Sequence, residues 1–252
     1  MARPEVVPPF FLSLALNFSI MPKTIIITGA NGNLGTAVVK KFLSQDYKVI
    51  AVDHSGSHLG FADRNPLFEL HSVDLINESE SETFIKEAAA LYGNIDCAVL
   101  LAGGFAMGGI DETDSAALKT MFSLNFETAY NIARPLFRHM MQNNYGRLIF
   151  TGARPGLNHA EGTNKLAYAL SKSLLFTLAD ILNKEAKTKG KNVVVSIIAP
   201  STIDTPPNRQ AMPDANPNDW VKPEQIADLL EFICSTQGDV LREPVYKVYN
   251  NA

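Results

Sequence analysis

The sequence predicts an α/β fold: a doubly wound parallel sheet of about seven strands with helices on both faces. Three observations predict it. Short β-branched runs alternate with longer stretches that carry a helical apolar stripe. Several of the short runs are apolar throughout instead of at every second residue, as strands covered on both faces are. The residues able to carry chemistry gather at the carboxyl ends of those runs, where ligands sit in open α/β sheets.

The elements follow in order along the chain. "TIIIT" (24–28) is the first strand and stops at Gly29. "LGTAVVKKFLSQ" (34–45) is an amphipathic helix and "KVIAVD" (48–53) the second strand. "LFELHSVDL" (67–75) reads as a third strand, and "SETFIKEAAALYG" (81–93) as a helix closed by glycine. "IDCAVLLAGG" (95–104) is a fourth strand that ends in glycines. A long helix through about 115–142, the strand "GRLIFT" and a helix over 165–189 come next. "NVVVSIIAP" is the sixth strand, a Pro-rich loop spans 200–223, and the helix "PEQIADLLEFIC" precedes the closing strand "PVYKVYN". No repeat, low-complexity block or linker interrupts this order, so 23–252 is expected to be one domain.

The totals narrow the function. The chain has 252 residues, 46% hydrophobic and 19% charged, which suffices for a sizeable core. A net charge of −4 with no basic run argues against nucleic acid. No stretch reaches the ~20 apolar residues of a membrane helix. Cys97 and Cys234 lie far apart and read as small apolar side chains of a reducing compartment. The five histidines and two cysteines show no ligand spacing, so no metal is expected. Residues 1–22 read as a flexible N-terminal extension. A secretory leader is the alternative, opposed by the Pro-rich front and the single positive charge. The expected location is cytoplasmic.

"TGANGNLG" (28–35) joins the first strand to the first helix. Gly29, Gly32 and Gly35 permit a tight turn, and with Asn31, Asn33 and Leu34 they bring backbone N–H groups to a pyrophosphate at a helix N-terminus. Asp53, at the end of the second strand, is placed to accept both ribose hydroxyls. It would repel a 2′-phosphate, and neither "ANGN" nor "HSGS" supplies an Arg or Lys to bind one. NAD(H) is therefore favoured, with NADP(H) as the alternative. Asp74 and Leu75 are placed to meet the adenine, although Asp74 reads equally as a turn or cap residue. Ala102, Gly103 and Gly104 in "LLAGG" allow close approach to the adenosine ribose.

Tyr168 and Lys172 in "YALSK" are four apart and share a helix face. A nearby ammonium favours the phenolate and makes the phenol a better proton donor near neutral pH. Pairs of this kind commonly work with a hydroxyl just upstream. After "RLIFT", where a serine is expected, stands Gly152.

Taken together, "TGANGNLG", Asp53, "LLAGG", Asn125 in "SLNFE", "YALSK" and "APSTIDT" resemble the short-chain dehydrogenase/reductase family over about 23–250. The resemblance implies a Rossmann-type sheet and a homodimer or homotetramer. It implies Tyr168 as proton donor, Lys172 as its activator and ribose ligand, and Asn125 as anchor of a proton-relay water. Pro200, Thr202, Ile203 and Thr205 would border the nicotinamide, with Thr205 on its carboxamide. Three departures stand out: the middle glycine of the loop is shifted, Leu101 replaces a common Asn, and the serine is missing.

A narrower resemblance, to the dihydropteridine reductase branch, covers the last two. It rests on "LLAGGFAMGG", "IFTGARPGL", "YALSK" and "STIDTPPNRQAMPDANPNDW" (201–220). It implies a small-molecule substrate, a quinonoid dihydropterin, whose ring spreads incoming charge and depends less on a serine donor. Gly152 would then be an adaptation. Asn208, Arg209, Met212 and Trp220 would close over the flat ring, with lid packing the alternative role for Trp220. Thr151 and Thr163 are candidate substitute hydroxyls. His159 and Lys165 in "ARPGLNHAEGTNK" would suit an anionic or differently shaped ligand. Two other readings remain: a general carbonyl or alcohol oxidoreductase, and a non-catalytic nucleotide-binding protein. Helix 166–186, apolar on more than one face, either lies fully buried or packs against a partner, and the family resemblance implies a dimer built on it and on the helix at 115–142.

Overall fold

Strand β1 (Thr24–Thr28) has every residue buried and pairs in parallel with β2 (Lys48–Val52) on one side and β4 (Cys97–Leu100) on the other. The computed structural model describes residues 22–251, so the expected extension or leader over 1–22 lies, but for Pro22, outside the described residues. With β3 (Phe68–His71), β5 (Tyr145–Thr151), β6 (Asn192–Pro200) and β7 (Val245–Val248), the sheet has the order β3-β2-β1-β4-β5-β6-β7, parallel throughout. The order reverses between β1 and β4, and the crevice above that reversal is where such sheets bind ligands.

Alternation along β1 divides the core. Ile26 faces one side, under α2 (Glu78–Tyr92), α4 (Thr128–Asn143) and α6 (Leu166–Thr188), against Phe84, Leu136 and Leu175. Ile25 and Ile27 face the other, under α1 (Asn33–Ser44) and α8 (Pro223–Cys234), against Phe42 and Leu230. Each such side chain contributes about 1.5–3 kcal/mol by leaving water. Two-sided burial is why the strands read as unbroken apolar runs.

Four local differences from the sequence reading have physical causes. The helix expected over 115–142 is broken: α3 (Ser115–Phe122) passes through a π-helical turn, Ser123–Glu127, before α4. Such wide turns occur at functional sites, and Asn125 sits in this one. The third strand ends at His71, so Asp74 lies in the turn beyond it. Helix α2 begins earlier than expected, because the Asn77 side chain accepts the N–H groups of Ser79 and Glu80. The Pro-rich loop contains α7 (Pro206–Ala211), capped by Thr205. The helix α5 (Arg154–Leu157) lies in the segment between β5 and α6.

Distant in sequence, Cys97 and Cys234 meet in the fold, both buried and both free thiols. Burial pushes the Cys234 thiol well up, which leaves it inert. No helix among the described residues is long and apolar enough to cross a membrane.

Candidate active site

The turn after β1 is shaped by what a side chain would strike. Gly29 has φ of +65°, and a Cβ there would lie 2.8 Å from the Ala102 nitrogen. A Cβ at Gly35 would fall 2.1 Å from the Gly29 oxygen, so only glycine lets α1 pack this close to the turn. Gly32 caps α1 without any side-chain bond, and Gly32 and Asn33 are exposed. The first turn of α1 therefore presents backbone donors to an anion.

Asp53 stands across that turn. Its Oδ2 accepts the Asn31 N–H at 3.0 Å and its Oδ1 the Ser55 N–H at 3.4 Å. The Asn31 amide donates to the Ser55 and Ser57 hydroxyls and accepts the His58 N–H, so it ties the glycine turn to the loop after β2. A cleft of about 170 Å³ brings together Gly29, Asp53, Asp74, Leu75, Ala102 and Gly103. Asp74 also takes its turn role, accepting the Ile76 N–H at 3.0 Å. Sequence reasoning missed His54, Ile76, Leu124 and Thr128, which line the same cleft and carry no motif signal. A larger groove of about 620 Å³ runs along α1 and α8. Neither Asp53, Tyr168 nor Lys172 lines it, so size does not make it the site. The cleft and the open helix end fit a dinucleotide.

At the chemical end, α6 carries Tyr168 and Lys172 on one face. Lys172 is 4% exposed, and its Nζ donates to the Thr151 carbonyl at 2.8 Å, at the end of β5. Burial pulls its ammonium down to about 8. Tyr168 is half-buried, and burial pushes its phenol up to about 12. This corrects the expectation that the lysine depresses the phenol. The ammonium is directed at the Thr151 carbonyl, and the cost of desolvating a phenolate dominates. The phenol thus keeps its proton at neutral pH.

Asn125 is fully buried, and its side chain is wholly engaged: Oδ1 accepts the Gly104 N–H at 3.0 Å, and Nδ2 donates to the Ser171 hydroxyl at 3.1 Å. A Cβ on Gly103 would lie 2.6 Å from that Oδ1 and 3.3 Å from Lys172 Nζ. Asn125, Gly103, Gly104 and Lys172 are therefore one packed unit.

Phe105, missed from the sequence, meets Tyr168 edge-on at 5.0 Å and is 59% exposed. Met107 and Ile110 of the same loop are also exposed. The available signal was three large apolar residues in a glycine-rich loop. Backbone bonds Gly108 N–H to Asn164 and Leu166 N–H to Gly108 fasten this loop to the start of α6.

The segment after β6 departs more from expectation. Pro200 ends β6, the Thr202 carbonyl accepts the Val221 N–H, and Ile203 packs against the α1–α8 core. The Thr205 hydroxyl accepts the Asn208 N–H at 3.3 Å as cap of α7, and Asn208 Nδ2 donates to the Ile203 carbonyl at 2.8 Å. Arg209 is held by Asp204 through two bonds, at 2.6 and 2.7 Å. Met212 is exposed. Trp220 is 5% exposed, so it takes the packing role and offers no open face to a ring. Thr163 and His159 are exposed, and Lys165 is half-buried.

Gly152 also needs correction. A Cβ there would lie 2.7 Å from Ile197 Cγ2 and 2.8 Å from Phe176 Cζ. The position is glycine because α6 packs on it, and a serine side chain built there would point into that packing. Alternation puts the side chains of Thr151 and Ala153 on the other side of the strand. The Thr151 hydroxyl is buried and has no partner among the described residues.

The chain matches the short chain dehydrogenase family model over residues 23–216. It belongs to the short-chain dehydrogenase/reductase family. Family members are oxidoreductases that use NAD(P)(H). The chain is similar to a dihydropteridine reductase of Dictyostelium discoideum, 29% identical over 87% of this chain and 90% of that one. It is also similar to an acetoacetyl-CoA reductase of an Acinetobacter species, 26% identical over 73% of this chain and 75% of the other. Among solved structures, ElxO with NADP bound has a TM-score of 0.81 at 19% identity, covering 90% of this chain and 97% of that chain. That likeness supports the fold of this family member. Among the described residues, no group of three or more potential metal ligands occurs.

Gly152→Ser is expected to cost about 1–3 kcal/mol through overpacking, read as a lower urea midpoint at unchanged slope. It should not raise carbonyl reduction. Unchanged stability with improved ketone turnover would contradict the packing explanation.

Proposed function

We propose that this protein is an NADH-dependent reductase of a quinonoid dihydropterin-like substrate, with Tyr168 as proton donor. The observation that carries the reading is geometric: Tyr168 and the buried Lys172 share one face of α6, and the exposed ring of Phe105 meets Tyr168 edge-on at 5.0 Å. The similarity to dihydropteridine reductase supports the choice of ring. The nicotinamide nucleotide, when bound, supplies the hydride. The open end of α1 would hold the pyrophosphate, Asp53 the adenosine ribose, and Asp74 and Leu75 the adenine edge. Ala102 to Gly104 and Lys172 would hold the ribose next to the nicotinamide, and Pro200 to Thr205 its carboxamide. NADH is favoured because the Asp53 carboxylate would face a 2′-phosphate and no Lys or Arg lines the cleft.

The chain's own work is positional and protic. Tyr168 delivers the proton that accompanies hydride arrival, and Lys172, anchored on the Thr151 carbonyl, holds the end of β5 beside it. Phe105 offers a flat ring an edge at the phenol. Asn125 holds the Gly103–Gly104 turn in place. Met212 is the remaining lid contact of the set expected from the sequence.

A second reading, reduction of a general carbonyl, is favoured by the similarity to acetoacetyl-CoA reductase. With chemically generated quinonoid dihydropterin, NADH oxidation should fall at least ~10²-fold in Tyr168→Phe while NADH binding persists. Phe105→Ala should raise KM for the pterin. Turnover of carbonyls alone would overturn the pterin reading, and NADH binding with no turnover of either class would favour a non-catalytic protein.

We also place the enzyme in the cytoplasm as a homodimer. Leu170, Leu174 and Ile181 form an exposed apolar stripe on α6, and Leu118 and Tyr130 are exposed on α3 and α4. Size-exclusion elution at the mass of two chains is expected, and elution at one would contradict it.

A further inference from the structure

We infer that Ser171, the residue before Lys172, is a positioning residue that sets the nucleotide-binding turn through Asn125. The inference rests on reading Gly103–Gly104 and Lys172 as nucleotide contacts. The Ser171 hydroxyl lies 2.9 Å from the Tyr168 carbonyl, which can only accept, so its single proton is committed there. Ser171 Oγ can then only accept from Asn125. The Asn125 group 3.1 Å away must be its NH2, which turns Oδ1 toward the Gly104 N–H, a group that can only donate. Both ends of the amide are thereby fixed without ambiguity.

No water can take over easily, because Asn125 is fully buried and Ser171 is 3% exposed. Without the hydroxyl, the hydrogen-bond partner left to Nδ2 among the described residues is the Met121 sulfur at 3.8 Å, too weak to orient it. A flipped amide would set NH2 against the Gly104 N–H and push the turn away. Gly103 is packed against both Oδ1 and Lys172 Nζ, so the turn has no room to move without disturbing the nucleotide contacts. The Tyr168–Lys172 pair itself makes no bond through Ser171's side chain apart from the Tyr168 carbonyl. The effect of Ser171 therefore falls on binding more than on proton transfer.

Ser171→Thr and Ser171→Val have the same shape and differ in the hydroxyl, which makes them the informative pair. With calorimetric titration of NADH, the Val variant should bind about tenfold more weakly than the Thr variant. Their kcat at saturating NADH should agree within about twofold, following the rule that lost uniform binding leaves kcat alone. In an Asn125→Leu background the Thr–Val difference should vanish, since the amide through which it acts is gone. Equal NADH affinity of the two variants, or a difference that survives Asn125→Leu, would overturn the role of Ser171. Wild-type protein that binds no NADH would overturn the nucleotide reading, and this role with it.

Discussion

An ammonium buried beside the end of β5 is the constraint on which the rest of the site depends. Lys172 is 4% exposed and holds the Thr151 carbonyl. The fall of its pKa from 10.5 to about 8 corresponds to roughly 3 kcal/mol spent on keeping a charge out of water. A lysine kept for packing alone would be replaced by an apolar side chain at lower cost. Its neighbours are arranged around that charge: Gly103 leaves space above Nζ, Asn125 braces the turn, and Tyr168 sits one helical turn away with its proton retained. The sheet supplies rigidity, because β5 pairs with β4 up to Phe150 and with β6 through Thr151.

Much of this was legible in the sequence, and the reasons differ by element. The strands were readable because burial on both faces makes them apolar throughout, and β1, β6 and α8 begin and end where their patterns do. Tyr168 and Lys172 stood out because helical spacing puts them on one face of a helix that follows the fifth strand of a nucleotide-type fold, and spacing alone would read as surface chemistry. The π turn at Asn125 was not, since a widened turn leaves the apolar periodicity of its flanks almost intact. Asn125 itself entered through family resemblance. Gly152 was misread because a missing side chain carries no direction in a sequence. Only the positions of Phe176 and Ile197 show that the space it leaves is already filled.

Trp220 and Phe105 make the complementary pair. Both are large aromatic residues in loops, and composition gives no reason to bury one and expose the other. The fold does: Trp220 leads into Val221, which bridges to Ile203 and anchors the segment, whereas Phe105 follows two glycines that run past the Asn125 brace. The exposed aromatic ring beside Tyr168 therefore comes from the loop after β4 and not from the segment after β6. The cysteines show the same limit, since proximity of Cys97 and Cys234 arises from β4 meeting the end of α8 and leaves no mark in spacing.

The central claim is that burial raises the Tyr168 phenol above its ordinary value and that Lys172 does not lower it in the nucleotide-free protein. Tyrosine labelled with 13C at Cζ, in wild type and Tyr168→Phe without nucleotide, would assign the Tyr168 resonance by difference. The account predicts that this resonance stays at the protonated position from pH 6 to beyond about pH 10, where a free phenol is half ionised, because burial raises this one to about 12. A phenolate shift appearing within that range would contradict it and restore direct activation by Lys172.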